Sequence, residues 1–427
     1  MGFWVSALEG LDVIRPDTAL GPVGSRTSCR ICGAADLELV VDYGAMPLAG
    51  GFVPADDSRA SETFPLRLLR CRDCTLMQVP DQVPPDRIFA QYSYASSVNR
   101  TLVAHFESVA KELVELAAPK GGLIVEFGCN DGILLRPLCV AGARVLGVDP
   151  SDVARRSSDE QGWPLVPAYF GLEVAGQVRA SYGPARIVTG NNVCAHVDDP
   201  NMLVAGVTAL LEPEGLFVFE VHYQGDLIEL TQYDTVYHEH TCYYSLTSIV
   251  RLLARHEMKV VDVRRITIHS GSIHVTAARA DSRRGRSASV DEMLATESSW
   301  DVARFAERVE VRRASLRILV GDLVEAGRRV VGYGASGRAT VLLNFCGLTP
   351  DVVRNVSDLS PLRYGKVVPG VKIPVVPRRV FHEDRPDYAI LTAWNYEAEI
   401  VRDEQTFLRT GGRFIVPLPD VRLVGAA

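Results

Sequence analysis

"GGLIVEFGCNDGILLRPL", residues 121–138, is the stretch whose reading decides the fold. The apolar run from Leu123 to Phe127 stops at a glycine-bounded turn, Gly128-Cys129-Asn130-Asp131-Gly132, and apolar residues resume directly after it. That pattern is a buried strand, a tight turn and a helix start, the βα unit of nucleotide-type folds. Upstream, "LVAHFESVAKELVELAAP" from about residue 102 has helical periodicity. Downstream, "ARVLGVDP" is a second strand ending in Asp149, 21 residues past Gly128, where a carboxylate can accept hydrogen bonds from both hydroxyls of a ribose. "ARIVTGNNVCAHV" and "GLFVFEVH" add further strands, so strands alternate with helices as in a doubly wound parallel sheet. Ligands in such sheets sit at the carboxyl ends of the strands.

Glycine spacing bears on the ligand. The turn lacks the middle glycine of G-x-G-x-x-G, and Glu126 and Asp131 would repel a pyrophosphate. The same acids could pair with the ammonium and sulfonium of S-adenosylmethionine, which fits better than NAD. In the C-terminal third, after a charged helical segment over about 288–327, "RRVVGYGASGRATVLLNFCG" does carry the full spacing in Gly332, Gly334 and Gly337. Asp358 follows Gly337 by 21 residues. An NAD-dependent enzyme with two Rossmann-like halves has its support here. The same turn, with Ser336 and Arg338 beside it, could instead hold the diphosphate of a sugar nucleotide, or could simply pack a helix on a sheet.

"CRIC" and "CRDC" place Cys29, Cys32, Cys71 and Cys74 in two C-x2-C knuckles with 38 residues between them. Four thiolates so paired suit tetrahedral zinc, and four protein ligands leave no position open for a reacting water. The rival reading, a redox C-x2-C pair, requires a βαβ setting that neither motif has. The remaining cysteines are single, and most of them read as small buried apolar residues.

With 427 residues and 47% hydrophobic content, the chain is long enough for two or three cores. A formal charge of −7 excludes a broad polyanion-binding surface and favours a small-molecule partner over nucleic acid. No apolar run approaches the ~20 residues of a membrane-spanning helix. We expect a monomeric, cytoplasmic protein without a membrane partner. "MGFWVS" matches the loose myristoylation pattern, which a short motif does by chance.

Taken together, "CRIC" and "CRDC", "QYSYASS", "EFGCNDG", "NNVCAHV", "YHEHTCYYS", "GYGASGRAT" and "WNYEAEI…GGRFIVPLP" resemble the S-adenosylmethionine-dependent sugar C-methyltransferases that make branched deoxysugars of bacterial natural products. The likeness covers nearly the whole chain from about residue 27. It implies an α/β protein with a flexible extension (1–26), a zinc-binding domain (27–90), a central Rossmann-like methyltransferase domain (91–287) and a C-terminal Rossmann-like domain (288–427) that holds a dTDP-linked keto-sugar. The methyl would go to C-3′ beside a C-4′ ketone, with C-5′ methylation as the alternative. Carried over residue by residue, Cys29, Cys32, Cys71 and Cys74 fall on the zinc ligands. Glu126, Gly128, Asn130, Asp131, Gly132, Asp149, Pro150, Asn191 and Asn192 fall on the cofactor pocket. Tyr237, Glu239, His240 and His196 fall on the active-site cluster, with Tyr92 or Tyr94 facing the substrate. Gly332, Gly334, Ser336, Arg338 and Asp358 would bind the sugar nucleotide. Relatives often show Pro, Ala and Lys where this chain has Ser336, Gly337 and Arg338.

The stretch "VYHEHTCYYS" (236–245) then acquires a chemistry. Forming a carbon–carbon bond to a sulfonium methyl needs a carbanion equivalent, which a ketone supplies when a base removes the adjacent proton. An imidazole neutral at pH 7 can take that proton while hydrogen-bond donors steady the enolate. We assign His240 as the base, Glu239 and Tyr237 to positioning or tuning, and His196 or a tyrosine hydroxyl to polarising the ketone. A metal site here would need a third ligand, and the H-E-x-x-H spacing is absent. His238, whose side chain would face the other way on a strand, is left out.

Overall fold

The computed structural model describes residues 24–83, 97, 100–117 and 121–426. Tyr92, Tyr94 and all but the last three residues of the expected extension lie outside them. Strands β1 (Leu37–Met46), β2 (Phe64–Cys71) and β3 (Met77–Gln78) form an antiparallel ladder. Its two cysteine knuckles are built alike. The N–H of Cys29 donates to the carbonyl of Ala34 and that of Cys71 to Leu76, each at 2.8 Å. The carbonyls of Cys29 and Cys71 accept from Gly33 and Thr75, each at 3.0 Å. Each knuckle therefore turns its thiols inward with the same backbone, and the left-handed φ of Gly33 and Thr75 (77° and 67°) closes the loop.

The central sheet is built from β4 (Leu123–Phe127), β5 (Val145–Val148), β6 (Leu165–Val166), β7 (Ala185–Asn191) and β8 (Leu211–His222). After β8 the chain leaves this sheet, and β9 (Cys242–Tyr243) pairs with β3 of the first sheet. It returns as β10 (Met258–Ile266) and β11 (Ser272–Arg279). The strand order is β10-β11-β8-β7-β4-β5-β6, with the neighbours from β8 to β6 parallel and those involving β10 and β11 antiparallel. Every residue of β4 and β5 is buried, which is why they read as unbroken apolar runs rather than alternating ones. The helix Arg100–Ala117 covers one face through Leu102, Phe106, Val109 and Leu113, spaced three or four apart. Because β5 and β7 flank β4, the order reverses at β4 and opens a crevice at its carboxyl end.

A third sheet contains β12 (Val330–Tyr333), β13 (Val356–Asp358), β14 (Val375–Pro377), β15 (Tyr388–Leu391), β16 (Arg413–Val416) and β17 (Arg422–Val424). Its order is β14-β13-β12-β15-β16-β17, parallel except for the last pair. The first and third sheets share an apolar core in which the Tyr43 ring lies 4.7 Å from that of Phe345. No helix among the described residues is long and apolar enough to cross a membrane.

Two expectations are corrected. The helical segment over about 288–327 is two helices, Ala288–Glu297 and Val302–Glu325, because Asp301 accepts the Arg304 N–H at 3.0 Å and starts a new one. The first of these packs on the central unit, where the Glu297 carboxylate accepts the N–H of Leu246 and Thr247. The boundary placed at 287/288 therefore moves to about residue 300, between the two helices.

Candidate active site

At the carboxyl end of β4 the chain turns through Gly128 and Gly132, at φ 65° and 74°. A Cβ at Gly132 would stand 2.0 Å from the Trp163 ring, and one at Gly128 2.4 Å from Val193, so only glycine fits either place. Asp149, at the end of β5, ties the turn down: its Oδ2 accepts the Asn130 N–H at 2.9 Å and its Oδ1 the Ser151 N–H at 2.8 Å. Asp131 accepts from the N–H and Oγ of Ser97. Asn192, at φ 59°, donates its N–H to the Glu220 carbonyl, and Pro150 follows Asp149 at the crevice rim.

Around this turn, Glu126 Oε2, Asp131 Oδ1 and Asn191 Oδ1 are buried acceptors without a donor among the described residues. Burial, reinforced by Asp149 and Asp131, pushes the Glu126 carboxyl well above its usual range. Such a cluster is costly unless a ligand brings hydrogen-bond donors, ideally cationic ones. An amino-acid ammonium and ribose hydroxyls meet that requirement, so the residues present fit S-adenosylmethionine. A pyrophosphate, which brings only acceptors, does not fit.

The four knuckle sulfurs lie within 4.8 Å of one another, with Cys29 to Cys74 at 3.4 Å and Cys32 to Cys71 at 3.5 Å. Tetrahedral zinc with sulfur at about 2.3 Å requires edges of about 3.8 Å, so this set fits the ion and closes its coordination shell.

The "YHEH" segment leads into β9, which pairs with β3 of the knuckle sheet. His240 donates from Nδ1 to the Thr235 carbonyl at 3.2 Å, leaving Nε2 to accept from the Tyr237 hydroxyl at 3.1 Å. His196 donates from Nδ1 to the Glu239 carbonyl at 2.7 Å, and its ring meets that of His240 at 4.9 Å. Burial, then the neighbouring imidazoles of His196 and His222, holds His240 well below the usual imidazole value. Burial also lowers His196. Both rings are therefore neutral at pH 7, each with a lone pair on Nε2. The Glu239 carboxylate turns the other way: Oε1 accepts the Gly50 N–H at 3.1 Å, and Oε2 is buried without a donor among the described residues. His238 donates to the Pro65 carbonyl in the first sheet.

One expectation about roles is corrected by these tautomers. A neutral His196 whose only N–H is given to Glu239 presents an acceptor to the site and cannot polarise a ketone. That task falls to a tyrosine hydroxyl.

At the C-terminal glycine turn, the expected role of Arg338 as a phosphate-binding cation is corrected as well. Gly332 lies inside β12, and a Cβ at Gly334 would meet Ala393 at 2.6 Å. Ser336 caps the helix Gly337–Phe345 by accepting the Ala339 N–H. Asp358 repeats the part of Asp149, accepting the N–H of Ala335 at 2.7 Å and of Ser360 at 2.7 Å. Arg338 is not a free cation: both its Nε and Nη2 bond the fully buried Asp234 at 3.0 Å, its Nη1 bonds Ser270, and it lies 4.5 Å over the Trp394 ring. Its charge is already neutralised, and it fastens the third sheet to the active-site loops. Replacing Arg338 with Ala strands the Asp234 charge and should cost about 3–5 kcal/mol of stability in a denaturant titration. Lys at the same position, which lacks the planar fork, should restore only part of it.

Sequence reasoning missed several groups. His222 and His269 lie close enough to His240 to lower it further, and Glu220 gathers two more imidazoles. The buried Glu220 is bonded by His105 at 2.8 Å and by His274 at 3.0 Å. Glu220 and His222 end β8, and the strand-end rule applied to "GLFVFEVH" would have found them.

Chiefly through burial, His222 and His269 are lowered to about 4 each. Between the ordinary imidazole value near 6.5 and that level, the unfolded chain binds protons that the native cluster refuses. Stability therefore falls as pH drops through this window, by up to about 3 kcal/mol per excluded imidazole. Burial pushes His274 down too, but the Glu112 and Glu220 carboxylates outweigh it and raise the ring, which opposes part of the loss. Thermal midpoints measured from pH 7.5 to 4.5 should fall most steeply below 6.5; a flat profile would contradict the neutral cluster.

Three family models match segments of the chain. Residues 29–89 match the family described as "Putative zinc binding domain", 102–263 a methyltransferase domain, and 267–419 the C-methyltransferase C-terminal domain. Over 406 residues the chain is 40% identical to C-methyltransferase NovU of Streptomyces niveus, covering 93% of this chain and 97% of that one. The chain belongs to the C-methyltransferase family. It is an S-adenosylmethionine-dependent methyltransferase with a zinc site, which sets the NAD-dependent reading aside. A ubiquinone biosynthesis O-methyltransferase of Actinobacillus pleuropneumoniae serotype 7 matches this C-methyltransferase at 31% identity, over 23% of its length and 45% of the relative's. Among solved structures, the magnesium protoporphyrin IX methyltransferase of Synechocystis PCC 6803 with bound SAM is 17% identical, covering 42% of the C-methyltransferase and 79% of the other chain, at a TM-score of 0.32. The C-terminal family match begins at residue 267, so β11 of the central sheet falls within it.

Proposed function

We propose that this C-methyltransferase adds a methyl group to C-3′ of a dTDP-linked 4-keto-deoxysugar, as a step in making branched deoxysugars for antibiotic-type natural products. The observation that carries this reading is the state of His240: a neutral, half-buried imidazole whose Nδ1–H is fixed on a carbonyl and whose Nε2 lone pair meets the Tyr237 hydroxyl. In the structure that hydroxyl donates to Nε2. Turned onto a substrate ketone, it would polarise the oxygen and free Nε2 to remove the adjacent proton, so one rotation supplies both the acid and the base. The C–H electron pair moves into the enolate, and the proton stays on the imidazole. When bound, S-adenosylmethionine supplies the electrophilic methyl. Glu126, Asp131 and Asn191 would receive its donors, Asp149 and Pro150 would line the ribose side, and Gly128, Asn130, Gly132 and Asn192 would shape the turns that admit it. His196 presents an acceptor to the sugar, Glu239 positions the loop through Gly50, and Tyr92 or Tyr94, outside the described residues, is proposed as a substrate contact. Holding the acceptor carbon in line with the methyl supplies further acceleration.

The test is direct: incubate the protein with S-adenosylmethionine and a dTDP-4-keto-6-deoxyhexose and determine the product by NMR. A new methyl on C-3′ supports the reading. Because the C-4′ ketone acidifies both neighbours, a methyl on C-5′ would keep the chemistry and move the site, whereas a methyl on oxygen would reject it.

A further inference from the structure

Gln232 has one orientation. Its Nε2 donates to the Ser270 carbonyl at 2.6 Å, so its Oε1 must face His222, 2.9 Å from that ring's Nε2. An amide oxygen only accepts, so Nε2 of His222 carries the proton and Nδ1 carries the lone pair. That Nδ1 is buried and has no donor among the described residues. The backbone supporting this arrangement is strained at both ends: Thr231, next to Gln232, has φ 52°, and His269 and Ser270 have φ 56° and 70°. Ser270 is held in turn by Arg338. Strained backbone and an unmet buried acceptor both lower stability, and both gather where a ligand completes the structure. His222 stands at the carboxyl end of β8, where this sheet class binds its ligands, close enough to His240 for its charge to lower that ring.

We propose that His222 is a specificity-determining residue whose Nδ1 accepts a hydrogen bond from a hydroxyl of the acceptor sugar, with Gln232 as the positioning residue that locks the required tautomer. The inference rests on the keto-sugar reading and adds to it a preference: one ring hydroxyl is read by this imidazole. His222 does not compete with His240 as base. With burial holding it down to about 4, it is a weak proton acceptor and a steady hydrogen-bond acceptor.

Two arms test this. In protein with 15N-labelled histidine, the His222 ring should show the Nε2–H tautomer from pH 8 down to pH 5 without any substrate; an Nδ1–H tautomer overturns the proposal outright. In the second arm, dTDP-4-keto-6-deoxyhexoses lacking one hydroxyl at a time are compared by kcat/KM. The unaltered enzyme should reject one of them by on the order of tenfold to a hundredfold, the cost of leaving a buried acceptor unpaired. His222→Asn, whose amide oxygen can stand near the place of Nδ1, should keep that discrimination. His222→Gln, which can still reach Gln232 but offers no acceptor at Nδ1, should abolish it with little change for the deoxy analogue. Equal losses on every analogue in both variants would make His222 merely structural and overturn the proposal. If the unaltered enzyme binds S-adenosylhomocysteine yet turns over none of these sugars, the keto-sugar reading fails and this inference with it. That outcome differs from turnover without discrimination, which overturns this inference alone.

Discussion

His240→Asn should reduce methyl transfer by roughly 10²–10⁴-fold while S-adenosylhomocysteine binds as before. The two effects separate because the proposed cofactor contacts lie on the glycine turn and the ends of β4, β5 and β7, whereas His240 hangs from the loop between β8 and β9. Asparagine can still donate toward the Thr235 carbonyl, so the loop has little reason to unfold. It cannot take a proton from carbon. The rate with the variant should also lose the acid limb of the pH profile that an imidazole base gives. Parallel loss of ligand binding would instead make His240 a structural residue.

The second large effect concerns the zinc site. Cys74→Ser, or removal of the ion by a strong chelator, should unfold the N-terminal unit and abolish activity with it. Structural zinc contributes about 10–16 kcal/mol of apparent binding energy, as much as the whole margin of 5–15 kcal/mol that keeps a domain folded. The loss would not stay local. β3 pairs with β9, directly after the active-site segment, and Gly50 donates to Glu239. A folded, active protein containing no zinc by elemental analysis would contradict the assignment.

These dependences explain how much could be read from the chain alone. The βα unit was legible because a buried parallel strand and a glycine turn are local features: "LIVEF" followed by Gly128 and Gly132 needs no distant partner to be recognised. The cysteine knuckles were legible for the same reason, since each C-x2-C brings its own backbone geometry. Arg338 misled because spacing cannot reveal satisfaction: it is claimed by Asp234, 104 positions away. His222 escaped for the opposite reason: its tautomer depends on Gln232, and Gln232 depends on Ser270 in another loop. The helix break at Asp301 turned on one side-chain cap within a segment of otherwise continuous helical composition.

The central claim is that an imidazole removes a proton from carbon before any methyl moves. Deuterium wash-in measures that step alone. The protein, saturated with S-adenosylhomocysteine, is held in D2O with a dTDP-4-keto-6-deoxyhexose, and exchange at C-3′ is followed by NMR against an enzyme-free control. The account predicts exchange faster than the control with the unaltered enzyme and none above control with His240→Asn; equal exchange in both, or none in either, would contradict it.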